Sequence, residues 1–256
     1  MKIVLASDLD GTLVRNNIIP EYNIKSLKNL NNSGGMFIIS TGRPFNGVSY
    51  LIDEYNLNVD YKILLNGALI LDNLNNPIIH KTISFNYVEE IVSYAKNFNP
   101  GISLETGFKS YVIEKDHFNI PYSGKVIVDS IYDIDDKEIS LISLFFDDLE
   151  IDEIDKICES INTNFSSECS AYRNTNYVDV VPKNCSKGNA LLQICNLENI
   201  KKENLYTIGD SFNDTSMFDI TNNSFTFHEC EEKLKSYASN IVESVSECIE
   251  KYILSK

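Results

Sequence analysis

Tryptophan is absent from the 256 residues, and histidine and methionine occur three times each. His80, His117 and His228 stand singly, so none is assigned to catalysis. No apolar run approaches the roughly 20 residues that cross a bilayer. The N-terminal IVLA run is stopped by Ser7-Asp8 and is too short for a signal peptide. The six cysteines form no C-x-x-C pair and no metal-ligand spacing, which reads as reduced structural thiols in a cytoplasmic protein without a membrane partner. Positive charge is also scarce: 22 Lys+Arg against 37 Asp+Glu, a net charge of -15. A nucleic-acid binder needs a basic footprint that this chain lacks. An anionic ligand would meet overall repulsion, so it would need a local positive focus such as a metal ion with a few Lys or Arg.

Apolar residues make up 43% of the chain, which is ordinary for a globular protein and enough for one large or two modest cores. "IVLAS", "MFIIS" and "YKILLNGALI" read as buried strands, separated by helices in "PEYNIKSLKNLNNSGG" and "GRPFNGVSYLIDEYNL". This alternation implies parallel strands with right-handed crossovers. From about Phe85 to Val181 the pattern changes. One helix, "YVEEIVSYAKNF", precedes strand-like runs "GISLE", "SYVIE", "KVIVD" and "EISLISLFF". A helix "IDEIDKICESI" follows, then "TNFSSE" and "YVDVV". That stretch reads as an α+β insert built on an antiparallel sheet. After Pro182 the α/β rhythm returns with "SKGNALLQICNL", capped by Ser186, then "LYTIG", "NDTSMFDI", "SFTF", "EEKLKSYA" and "SVSECIEKYI". The expected fold is α/β, a Rossmann-like parallel-sheet core over residues 1–83 and 182–256, interrupted by an α+β domain over 84–181.

In an open parallel sheet, ligands bind beyond the carboxyl ends of the strands. The first strand ends in Asp8 and Asp10, the second in "STGR" with Ser40, Thr41, Gly42 and Arg43, the third in "LLNGA" with Asn66. The fourth ends in "GDSFND" with Asp210, Asn213 and Asp214, and the helix opening "SKGNAL" carries Lys187 in its first turn. Singly, each has an ordinary explanation: Asp-Gly and Asn-Gly are turn pairs, and Asp210 could cap a helix. Together they converge on one sheet edge. Clustered carboxylates in a dry site need a cation, and hard oxygen donors beside a phosphate suit Mg²⁺. Thr41 and Lys187 would add hydrogen bonds and positive charge for phosphoryl oxygens. Asp8 and Asp10 lie on one side of an extended strand, roughly 6.6 Å apart at Cα. One could attack phosphorus while the other works on the leaving group.

"DLDGTL", "STGR", "SKGNAL" and "GDSFND" resemble, in order and separation, the four motifs of the haloacid dehalogenase-like superfamily. "LLNGA" and the position of the insert resemble the Cof-type subfamily with a type IIB cap. The resemblance implies that Asp8 is the nucleophile, forming an aspartyl-phosphate, and that Asp10 protonates the leaving oxygen and then activates water. It implies phosphate binding by Thr41 and Lys187, with Gly42, Arg43, Asn66 and Asn213 around the same anion. It assigns Mg²⁺ to Asp8, the backbone carbonyl of Asp10, and Asp210, with Asp214 in support. Two stretches depart from the family: "TNNSFTFHECEEKLKSYA" is not rich in small residues, and "SVSECIEKYI" lacks the usual Asp-Gly-Val.

The activity implied is a phosphatase of small phosphorylated metabolites, such as sugar phosphates or phosphorylated cofactors. A phosphomutase of the same superfamily, or a receiver-type phosphate-binding module, are the alternatives. The protein is expected to be a monomer or weak homodimer. Substrate choice is expected from the insert, with Arg173, Lys109, Lys125 and the tyrosines near them as candidates and Arg173 foremost.

Overall fold

Val4–Ser7 (β1) follows the run the sequence marks as its first buried strand, and its side chains alternate between two cores. Leu5 joins one cluster with Phe37, Ile39, Tyr206 and Ile208. Val4 and Ala6 join another with Met36, Ile38, Ile63 and Leu205. A strand covered on both faces must be apolar at every position, which is why the sequence shows a continuous run rather than alternation. The computed structural model describes residues 2–113 and 124–255; His117 and Glu114, the last residue of "SYVIE", lie outside them.

After β1 the chain runs through helix α1 (Glu21–Asn32), β2 (Met36–Ser40), helix α2 (Ser49–Glu54) and β3 (Tyr61–Leu64). Strands β4 (Leu69–Leu71) and β5 (Pro77–His80) then fold back as an antiparallel extension. Helix α3 (Phe85–Ala95), β6 (Gly101–Glu105), β7 (Ser110–Ile113), β8 (Lys125–Val128), β9 (Leu141–Phe145), helix α4 (Ile151–Asn164), β10 (Cys169–Asn174) and β11 (Tyr177–Pro182) come next. Helix α5 (Lys187–Leu197), β12 (Leu205–Ile208), helix α6 (Thr215–Phe218), β13 (Ser224–Phe227), helix α7 (Glu232–Lys235), β14 (Asn240–Val242) and helix α8 (Val245–Glu247), which continues as a π-helix over Cys248–Ile253, follow.

Two sheets result. The first has eight strands in the order β14-β13-β12-β1-β2-β3-β4-β5, parallel from β14 through β3. The second has six, in the order β10-β11-β9-β6-β7-β8. Its pairs are antiparallel except β7 with β8, which is parallel, so the expectation of a wholly antiparallel insert is corrected there. "TNFSSE" is not a strand: α4 continues to Asn164 and the strand is the next segment, β10. The backbone turns back at Leu65 and Asn66, both at positive φ (51° and 49°), and this sends "ALI" antiparallel to β3.

In the second sheet, one face carries Ile102, Leu104, Ile142, Leu144, Val178 and Val180, packed with α3 and α4 residues such as Ile91 and Ile154. The opposite face carries Ser103, Glu105, Ser143, Tyr177 and Asp179, because successive residues of a strand point to opposite sides.

Candidate active site

Asp8 extends the ladder of β1 by one bond, its amide donating to the Ile208 carbonyl at 2.9 Å, and its side chain is buried. The chain then turns at Gly11, whose φ of 77° lies in the left-handed region; a Cβ there would sit 2.3 Å from Asp210 Oδ2. Glycine is required twice over, by the backbone and by the approach of that carboxylate. Thr12 donates to the other oxygen, Asp210 Oδ1, at 2.6 Å. Asp10 leaves the turn on the open side, where Arg43 meets it in a fork, Nε to Oδ2 at 2.7 Å and Nη2 to Oδ1 at 2.5 Å. Arg43 is held from behind by donating Nη1 to the Gly47 carbonyl and to the Tyr50 hydroxyl. Burial works against its charge, but the Asp10 carboxylate more than offsets this and its pKa rises.

Lys187 opens α5, behind the Ser186 cap that accepts from the Asn189 amide at 3.0 Å. A cation at a helix N-terminus opposes the helix dipole. The reason for it is plain in three dimensions: its ammonium is buried and donates to Asp8 Oδ1 at 2.6 Å and to Asp214 Oδ1 at 2.5 Å. Burial disfavours the charge, and the two carboxylates raise the pKa above that of a free lysine. Asp214 Oδ2 accepts the backbone amides of Asp210 and Ser211, both at 3.0 Å, so this fully buried carboxylate braces the loop and the lysine.

One carboxylate oxygen from each of Asp8, Asp210 and Asp214 lies within 4.8 Å of the others. Burial pushes Asp8 well above the ordinary carboxylate range, with Asp214 and Asp210 adding to the rise against Lys187. Burial and then Asp214 lift Asp210 to about 6. Hard oxygens crowded until their ionisation is costly form a donor set that fits a divalent cation such as Mg²⁺.

These groups border a cleft of about 370 Å³. Of the residues expected from sequence, Asp8, Asp10, Thr41, Gly42, Arg43 and Asp210 line it. Lys187, Asp214, Asn66 and Asn213 lie behind that lining, buried. Asn213 Nδ2 donates to Asn66 Oδ1 at 3.1 Å, and Asn66 Nδ2 donates to Asp179 Oδ2 at 2.8 Å.

The far wall includes Tyr177, one of the tyrosines near Arg173, but the sequence did not single out its other residues, Glu105, Leu141, Ser143, Asn174, Thr175 and Asp179. A lone Asp inside the apolar strand "YVDVV" was the available signal for Asp179. Arg173 is corrected. It does not line the cleft; it lies buried where β10 meets the fourth-strand loop, donating to Asp155 at 2.6 Å and to both Glu231 oxygens at 3.1 and 3.2 Å. Its guanidinium sits 4.8 Å from the centre of the Phe212 ring. The reason is strand alternation: the odd positions of β10 face inward. Lys109 is likewise turned away, on Asp135 at 2.8 Å. Lys125, at the start of β8, is not among the residues lining the cleft.

Comparison with known proteins places this geometry among relatives. A family model described as haloacid dehalogenase-like hydrolase matches residues 5–253. The chain is 24% identical over 270 residues to the phosphatase YwpJ of Bacillus subtilis, covering 94% of each. It is 22% identical over 283 residues to 5-amino-6-(5-phospho-D-ribitylamino)uracil phosphatase YwtE of the same organism, covering 95% of this chain and 93% of that one. A solved haloacid dehalogenase-like hydrolase from B. subtilis superposes with a TM-score of 0.88 at 20% identity, over 99% of this chain and all of the other.

Proposed function

This chain belongs to the haloacid dehalogenase-like hydrolases, and on that footing we propose that it is a Mg²⁺-dependent phosphatase of small phosphorylated metabolites, working through an aspartyl-phosphate on Asp8. The observation that carries this reading is the placement of Asp8, buried at the end of β1 with Lys187 at 2.6 Å and Asp10 two residues along. Relatives described as phosphatases across nearly their whole length support it.

An Asp8 carboxylate oxygen attacks phosphorus as the bond from phosphorus to the leaving alcohol breaks. Asp10, which the Arg43 fork holds as a carboxylate in the resting site, must enter this step as the neutral acid with part of that fork released, and it then gives its proton to the departing oxygen. In the second step Asp10 takes a proton from water as that water attacks phosphorus, the bond to Asp8 breaks, and inorganic phosphate leaves. Splitting the hydrolysis in two replaces one difficult displacement with two easier ones. Lys187 keeps Asp8 oriented and offsets charge beside the phosphoryl oxygens. Thr41 lines the same cleft and receives the Arg43 amide on its hydroxyl at 3.1 Å, fixing the loop between them. Asp8 and Asp210 are the residues that would hold Mg²⁺, with Asp214 bracing them; the ion supplies positive charge against the transferring phosphoryl group.

Residues 1–83 and 182–256 carry the chemistry in this reading, and residues 84–181 act as a cap. Glu105, Ser143 and Asp179 line the same cleft as Asp8 and Asp10, which supports that assignment. The test is phosphate release from p-nitrophenyl phosphate and a panel of metabolites, with Mg²⁺ and with chelator. Wild type should require the metal, and Asp8→Asn should fall to background while remaining folded. Trapping with beryllium fluoride should place the adduct on Asp8. Full activity in Asp8→Asn, or in excess chelator, would overturn the mechanism.

A further inference from the structure

The face of the second sheet turned toward the cleft has an unusual composition for a buried surface. Register aligns Ser103, Ser143 and Asp179 in one row across β6, β9 and β11, with Glu105 two residues further along β6 on the same side. Ser103, Glu105 and Asp179 are buried, and Ser143 is partly buried. Glu105 accepts the Ser103 and Ser110 hydroxyls, each at 2.5 Å, and Asp179 accepts Ser143 Oγ at 2.9 Å and the Asn66 amide. Neither carboxylate has a salt-bridge partner among the described residues. Only the more distant charges of Lys125 and Lys187 act on Glu105 and Asp179 respectively, so burying the two carboxylates is costly, and a hydrophobic face would have closed the sheet more cheaply. Each carboxylate oxygen has received one donor and can accept another. Glu105 and Asp179 both line the cleft that holds Asp8 and Asp10.

Resting on the phosphatase reading above, we propose that Glu105, Ser143 and Asp179 form the leaving-group subsite, which takes hydrogen-bond-donating alcohols, polyhydroxylated or bearing an amine, and rejects phosphate esters with a second anionic group. The division of charge in the cleft underlies this selection. Arg43 is the one cation lining it among the described residues, and its guanidinium is committed to Asp10. Beyond that pair the described wall offers Glu105, Asp179, Ser143, Asn174, Thr175 and Tyr177. A hydroxyl or ammonium can donate to the open lone pairs there. Once these carboxyls are ionised, a carboxylate or second phosphate would face like charge at short range with no donor cation among the described lining residues except the committed Arg43, an arrangement that selects by repulsion as much as by attraction.

The experiment measures kcat/KM for sugar and sugar-alcohol phosphates of three to six carbons, each against the corresponding phosphorylated aldonic acid. Glucosamine 6-phosphate serves as the amine and p-nitrophenyl phosphate as the aryl reference. Wild type should favour each alcohol over its acid at least tenfold. Glu105→Gln and Asp179→Asn should each narrow that ratio at least threefold, with the amine losing most. Thermal melting establishes that each variant is folded, and either one alone suffices for the comparison. An acid turned over as well as its alcohol by wild type, ratios unchanged in both variants, or aryl turnover with no alcohol phosphate accepted would overturn the inference. The last of these leaves the phosphatase reading standing; failure on the aryl ester with Mg²⁺ present overturns both.

Discussion

Glu105→Gln should stabilise the protein at alkaline pH and do little at acid pH. The side chain is 3% exposed, and burial is the main reason its carboxyl is lifted to about 7, against the hydrogen bonds from Ser103 and Ser110 that hold it down. In the unfolded chain the same group loses its proton near 4.5. The folded state therefore binds the proton more tightly, and stability declines as pH rises from about 4.5 through about 7, with the loss complete above that window. The difference between those two values corresponds to at most about 3 kcal/mol at pH 8. Glutamine keeps the shape of the neutral carboxyl, and both serine hydroxyls can rotate to suit it, so the variant escapes the loss. At pH 5 the same two values give a loss of only about 0.8 kcal/mol, so the two proteins should agree within about 1 kcal/mol. For a chain of this size each kcal/mol moves Tm by about 2–4 °C, so the variant should melt up to about 6–12 °C higher at pH 8. Melting followed by circular dichroism from pH 5 to pH 8 reads this directly. A gap that stays constant with pH, or a variant less stable than wild type at pH 8, would refute the claim that Glu105 is ionised at a cost in the fold.

Asp10→Asn should slow alkyl phosphates by about 10²–10⁴-fold while slowing p-nitrophenyl phosphate far less, because only the alkoxide needs a proton as it leaves; equal losses on both would remove Asp10 from that role. Arg173→Ala should cost about 1–3 kcal/mol, since it deletes a buried guanidinium whose acidic partners Asp155 and Glu231 are about half exposed and so recover water. It should leave the ranking of substrates unchanged, and a changed ranking in that variant would place Arg173 in specificity after all.

What could be seen in the sequence follows from what each position had to satisfy. Asp8, Asp10, Asp210 and Lys187 stood out because polar groups at the ends of continuous apolar strands need a reason, and the parallel sheet places those ends together. The β4–β5 hairpin did not stand out because β5 is largely exposed and has no apolar stripe, and because the reversal depends on Leu65 and Asn66 adopting positive φ. Strand β10 was hidden for a different reason. Its inward positions are Cys169, Ala171 and Arg173, a set with little β-branched or aromatic character, and the arginine is buried only because Glu231 and Asp155 come to it from elsewhere in the chain. The three residues of β14 are too few for any periodic signal. Glu105 and Asp179 need the register of three strands before they are seen to share a face.

The two ends of the cleft are not mechanically independent. Gly42 lies so close that a Cβ there would sit 3.0 Å from Asp179 Oδ2 and 3.4 Å from Asn66 Nδ2. Asn66 in turn donates its backbone amide to the Thr41 carbonyl at 3.0 Å while its side chain bridges Asp179 and Asn213. A change at Asp179 is therefore passed through Asn66 to the loop after β2 and to the residue preceding Asp214, so Asp179→Asn should alter rate as well as preference. Glu105 is bonded to Ser103 and Ser110 within its own sheet, with no hydrogen bond from the first sheet among the described residues. Of the two variants, Glu105→Gln is the one whose effect on the alcohol-to-acid ratio can be assigned to the charge of the leaving-group wall rather than to displacement of the phosphate loop.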